Sequence, residues 1–181
     1  MESLLDIMYL KRFCLPSTSN IDNIREHKQM DTNMCKCGNY NHIACVFKSS
    51  SEKSGIPNKI NIISFGVNKY KDVGGLEPTI HAEIDVLSKL PTIKNKKLTH
   101  INILVVRFTK YRQIVASKPC HDCVNTMNKL PESKGYKLHR IYYSDSYGNV
   151  VRTNLRDLKK ESPHYTRRYR ETMRRGDNVF L

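Results

Sequence analysis

The run INILVVRF at residues 101–108 constrains the fold more than any other stretch of the chain. It is apolar through its middle, without a polar position at every second residue. A strand of that kind is buried on both faces, so its sheet has to be covered from both sides. The run is also far shorter than the roughly 20 residues of a membrane-spanning helix.

The flanking segments fit that requirement. Residues 43–47 (IACVF) and 60–67 (INIISFGV) read as two strands joined by a modest loop, which favours an antiparallel pair. Residues 139–144 (HRIYYS) and 149–153 (NVVRT) read as two more, and the short link between them contains Gly148, a hairpin signal. A helix is expected from Thr79 to Pro91, with Ile80, Ile84 and Leu87 at helical spacing and proline as its stop. Another is expected to open at Pro119, with Cys120, Cys123, Val124 and Met127 on one face. Helices interleaved with strands predict an α/β fold. The expected form is a three-layer α/β/α arrangement around a mixed sheet of about five strands, its middle strands parallel, with a C-terminal hairpin.

Residues 43–153 hold this whole pattern and read as one domain. Residues 1–42 read as an extension: an amphipathic helix led by Ser3, with Leu4, Leu5 and Met8 on one face, then a polar, turn-rich stretch. Glu2 and Asp6 interrupt its apolar run, which does not resemble a secretory leader. Residues 154–181 read as a basic helix or tail. A cytoplasmic protein is expected, with the tail able to double as a nuclear address.

The charge balance points to polyanionic partners. The chain carries 31 Lys and Arg against 17 Asp and Glu, a net +14. Such an excess favours phosphate-bearing ligands through steering and counterion release. In the tail, Tyr165 and Tyr169 stand among Arg156, Lys159, Lys160, Arg167, Arg168, Arg170 and Arg174. Basic residues interleaved with aromatics suit single-stranded nucleic acid; a solvated amphipathic helix is the plainer alternative.

Two short pieces carry chemistry. One is His81-Ala82-Glu83; the other is Pro119-Cys120-His121-Asp122-Cys123. Both fall at the starts of expected helices. Cys120 and Cys123 are three apart, so a helix brings their sulfurs to one face, and the positive end of the helix favours thiolates. Two thiolates and the His81 imidazole would leave one tetrahedral position of a zinc ion open, as a catalytic site requires. Glu83, two residues past the histidine, is placed to move protons near that metal. His121 and Asp122 are expected to face solvent. Cys35, Cys37, His42 and Cys45 form a second candidate zinc group, although Cys-x-Cys spacing is unusual for one.

In this order, HAE followed by PCHDC resembles the H-x-E…P-C-x-x-C signature of the zinc-dependent cytidine/deoxycytidylate deaminase superfamily. The resemblance spans about residues 43–153. It implies hydrolytic deamination of cytosine or adenine at one catalytic zinc, with Glu83 as the proton carrier. GVN at residues 66–68 is similar to the loop of free cytidine and blasticidin deaminases in which the asparagine meets the sugar, which marks Asn68. SKPCHDC at residues 117–123 and RIYYSD at residues 140–145 resemble the AID/APOBEC type, which adds Ser117, Tyr143 and Asp145 as candidate substrate contacts. HAEI at residues 81–84 is also similar to tRNA adenosine deaminases, but Lys118 stands where that branch has a glutamate.

The favoured expectation is deamination of cytosine in a nucleotide or in single-stranded nucleic acid. Net charge, tail and RIYYSD motivate it. Free cytidine or deoxycytidine is the chief alternative, motivated by GVN, TIHAE and the hairpin, which in this superfamily resembles the free-nucleoside branch. An inactive, zinc-stabilised nucleic-acid-binding module is a third. A homo-oligomer is compatible with any of them.

Overall fold

The computed structural model describes residues 40–49, 60–70, 79–94, 97–109, 111, 113–166, 169–170 and 174. The expected N-terminal helix, with Cys35 and Cys37, lies outside the described residues. The strands are β1 (Tyr40–Ser49), β2 (Ile60–Val67), β3 (Lys69–Tyr70), β4 (Thr79–Ile80), β5 (Thr99–Thr109), β6 (Ile114–Val115), β7 (Tyr136–Ser144) and β8 (Val150–Thr153). The helices are α1 (Ala82–Ser88), α2 (His121–Ser133) and α3 (Leu155–Lys160).

The fold is mixed α/β, built on an open six-stranded sheet in the order β2-β1-β5-β7-β8, with β6 paired to the end of β5. The apolar run at residues 101–108 is the centre of this sheet. β5 is antiparallel to β1 and parallel to β7. β1 and β2 are antiparallel, and β7 and β8 form the expected hairpin. Gly148, at φ 83°, supplies the left-handed backbone that the connecting turn needs.

Alternation along β5 divides the interior in two. Ile101, Ile103 and Val105 join a cluster with Ala44 and Val46 of β1, Ala82, Val86 and Leu87 of α1, Val124 and Met127 of α2, and Leu158 of α3. Leu104 and Val106 point the other way, into a second cluster with Cys45, Phe47 and Tyr142. Both faces are buried, as the continuous apolar run requires: Ile103 and Phe47 are each 0% exposed. The three described helices pack on the first of these faces.

Topology fixes where the helices begin. β2 and β5 are both antiparallel to β1, so they run the same way. α1 follows β2 in the chain, and α2 follows β5. The two helices therefore start at the same end of the sheet, beyond the carboxyl ends of their strands.

Two helix starts differ from the sequence reading. Thr79 and Ile80 are not helical; they pair with Tyr70 and Lys69 as a short antiparallel bridge, and His81 is the N-cap of α1. Two β-branched residues suit extended backbone. Pro119 does not occupy the first helical position of α2; Cys120 is the N-cap and His121 opens the helix.

A close approach holds α1 on the sheet. A methyl placed on Gly66 of β2 would stand 2.4 Å from the Val86 nitrogen and 2.6 Å from the Ala82 carbonyl oxygen. Backbone cannot yield there as a flexible side chain would. Gly66→Ala is expected to cost about 1–3 kcal/mol through overpacking. The lowered urea midpoint of unfolding measures it, and an unchanged midpoint would remove this account of the glycine.

Candidate metal centre

His81, Cys120 and Cys123 come from the starts of α1 and α2, and one ligand atom from each lies within 4.8 Å of the others. His81 Nδ1 is 3.1 Å from Cys123 Sγ and 3.4 Å from Cys120 Sγ. Ligand atoms bound at about 2.0–2.3 Å around one tetrahedral zinc stand about 3.5 Å apart. The group could hold a metal ion, and two sulfurs with an imidazole nitrogen are a donor set that suits zinc.

Each member is fixed by its helix. The His81 carbonyl accepts from the Ile84 and Asp85 amides, and the Cys120 carbonyl accepts from the Val124 amide. Neither N-cap residue, His81 or Cys120, caps its helix with its side chain, although the His121 amide at the start of α2 donates to the His164 carbonyl; both sulfurs still lie at the positive end of α2. The Cys120 thiol is pulled down to about 4, first by the hydrogen bond from Cys123, against the effect of burial, and then by the bond to His81. Cys123 is pushed up by the same pairing and by burial, and the bond to Cys120 pushes His81 up. Proton and charge are shared across the group, as expected of side chains that favour a cation in their midst.

Glu83 lies in the first turn of α1 and is 3% exposed. Burial raises its pKa, against the opposing pull of the helix backbone. It meets the Cys123 side chain, whereas its Oε2 is buried with no hydrogen-bond partner among the described residues. A buried carboxylate oxygen without a partner costs about 1–3 kcal/mol or more. That cost falls once a water or a ligand donates to it.

Asp85, in the same first turn, is also buried but has three partners. It accepts from the Val67 amide at 3.0 Å and pairs with Lys89 at 2.6 Å and Lys69 at 3.0 Å. Burial works against its ionisation, yet the bonds from Lys89, Lys69 and Val67 hold its pKa below the ordinary value. Asp85 thus ties the end of β2 to α1 beside the candidate metal group.

That tie positions Asn68. The Asn68 Oδ1 accepts from the His42 amide at 3.0 Å, and the Asn68 amide donates to the His42 carbonyl. His42 shares the helix-bearing face with Ala44 and Val46 by alternation and is pushed down to about 4, first by burial, then by Arg107 and His81, against an opposing pull from Cys120. Arg107 stands opposite it on β5. Neither His42 nor Arg107 emerged from the sequence as a neighbour of the site. Strand alternation from Ala44 was the available signal for His42, but Arg107 needs the register of β1 on β5.

Of the second candidate zinc group, Cys35 and Cys37 lie outside the described residues, and the pairing of His42 with Cys45 is corrected. His42 and Cys45 are three apart on one strand, so they point to opposite faces. Cys45 sits in the second apolar cluster, its thiol pushed up to about 12 by burial. They cannot share an ion.

The remaining candidates lie near one another. Ser117 is buried; its hydroxyl donates to the Val105 carbonyl and accepts from the Ser144 amide, both at 2.8 Å. Tyr143 is half-buried on the helix-bearing face; burial, then Glu161, raises its pKa. The Asp145 carboxylate accepts from the amides of Tyr147 and Asn149, both at 2.8 Å, and so organises its own turn. Asp122 is exposed as expected, but His121 is half-buried against Tyr165.

Comparison of the chain with family models and with curated proteins gives no match. Among the described residues, no helix is long and apolar enough to cross a membrane.

The donor set generates a measurable expectation. Adding zinc to chelator-treated protein should raise the melting temperature by about 5 °C or more, because ion binding is coupled to folding. Cys120→Ala should abolish that response. A wild-type melting temperature indifferent to zinc would refute the site.

Proposed function

We propose that the chain is a zinc-dependent deaminase that hydrolyses cytosine to uracil and ammonia in a nucleotide or a nucleic acid. One observation carries this reading: the buried, unpartnered oxygen of Glu83 beside His81, Cys120 and Cys123. A structural zinc site has no use for such a group, whereas hydrolysis at a metal requires a proton carrier.

When bound, zinc would supply Lewis acidity and lower the pKa of a water towards about 7. His81, Cys120 and Cys123 would hold it. Glu83 accepts a proton from water and returns protons to the ring nitrogen and the departing amino group of the base, so that water and cytosine yield uracil and ammonia. Its raised pKa suits both acceptance and return. Asn68 and Tyr143 are the proposed substrate contacts, with Asp145 shaping the turn beside them. Ser117, bonded within the chain on both sides, sets the approach to α2. The same reading implies a helical layer on the second face of the sheet.

Net charge, and Arg107 beside His42, favour a phosphate-bearing substrate. The antiparallel β7–β8 hairpin favours the second reading, a free cytidine or deoxycytidine deaminase.

The test is ammonia release from cytidine, deoxycytidine, dCMP and a cytosine-containing single strand, each with zinc-loaded wild type and Glu83→Gln. The wild type should turn over the phosphate-bearing substrates. Glu83→Gln should keep its zinc and lose about 10²–10⁴-fold in kcat. Turnover of nucleosides alone would establish the second reading. Zinc binding with no turnover, or a fully active Glu83→Gln, would overturn the mechanism.

A further inference from the structure

A strap formed by residues 161–165 crosses the start of α2. The His121 amide donates to the His164 carbonyl at 2.8 Å, and Lys118 pairs with Glu161. Leu158 anchors the strap from α3 in the core. Residues from the far end of the chain are thereby fixed next to Cys120.

Three rings follow one another along this strap. The His121 ring lies 5.6 Å from that of Tyr165, tilted by 51°. Tyr165 and Tyr169 are stacked, 4.7 Å apart and 8° from parallel. Both tyrosines are half-buried rather than enclosed. The ladder therefore begins one residue from a candidate metal ligand.

The charge alongside is positive. Lys159, Lys160 and Arg170 are exposed. Among the described acids beside it, Glu161 pairs with Lys118 and Asp157 with Asn154, while Asp122 is exposed. Flat rings in series, flanked by cations, match bases in series, flanked by phosphates. Duplex bases are already stacked on each other and offer no face to a ladder, so the complementary ligand is a single strand.

We propose that the His121–Tyr165–Tyr169 ladder seats the bases flanking the reacting base of a single-stranded nucleic acid, with Lys159, Lys160 and Arg170 meeting its phosphates. The deaminase reading decides only where the target base goes; strand binding rests on the ladder itself. Tyr169, at the far end, extends the stack onto the strand.

Fluorescence anisotropy of the full zinc-loaded chain with a labelled single strand of about 15 nucleotides, and with its duplex, tests this. The single strand should bind more tightly. Tyr169→Ala should weaken single-strand binding by about fivefold or more, and Tyr169→Phe should restore it, since stacking needs the ring and not the hydroxyl. Duplex binding should respond to neither. A purely structural role would lower the melting temperature and leave strand affinity alone. Photo-crosslinking of an iodouracil-substituted strand to the wild type should map to Tyr165 or Tyr169, a readout that stands even if the alanine variant fails to fold. Equal affinity of Tyr169→Ala and wild type, equal preference for duplex, or crosslinks confined elsewhere would overturn the proposal. Ring-dependent strand binding by a protein inert on every cytosine substrate would defeat the deaminase reading alone.

Discussion

Two sulfurs and an imidazole nitrogen meet in a largely buried place, and buried thiolate charge is costly unless positive charge answers it. The start of a helix offers about half a unit of positive charge, so one helix is too little and two must face each other. The sheet satisfies that condition. With β2 and β5 running the same way, α1 and α2 open at one end, and the parallel step from β5 through α2 to β7 brings the second helix back across the sheet. The central apolar strand is thus both the core of the fold and the axis that brings the candidate ligands together.

Much of this was legible in the residues. Residues 60–67 read as the strand that is found, and 101–108 as its centre. The strand order could not be read, because it depends on pairing between distant segments. The helix starts were misjudged by two or three residues: α1 opens at Ala82 rather than Thr79, and α2 at His121 rather than Pro119. Their apolar periodicity does not distinguish a cap from a first turn; the short bridge of Thr79 and Ile80 to β3 decides it. His42 illustrates the opposite case. Its spacing from Cys45 suggested a shared ion, but the period of two along a strand sends the pair to opposite faces and brings His42 beside Arg107.

Glu83 and Asp85 show how neighbouring acids on one helix can serve different ends. Asp85 has an amide and two lysines, and it fastens α1 to β2. Glu83 keeps a buried oxygen without a partner among the described residues. Composition treats them alike. The difference arises from where the turn of the helix points each one: Asp85 towards the strand end and its lysines, Glu83 towards the sulfurs.

Ser117 and Ser144 join three parts of the chain. The Ser117 amide donates to the Ser144 carbonyl, its hydroxyl reaches β5 at Val105, and the Ser144 hydroxyl donates to the Val115 carbonyl at 2.6 Å. The last residue of β7 is therefore clasped to the segment that delivers Cys120, and the turn shaped by Asp145 begins at the very next residue. Turn and cysteines form one mechanical unit. Lengthening or bending the turn would drag the sulfurs with it, whereas exchanging an exposed side chain such as Tyr147 would not. In a protein built this way, side chains at the rim are free to change, while the backbone beneath them is held in common with the candidate metal centre.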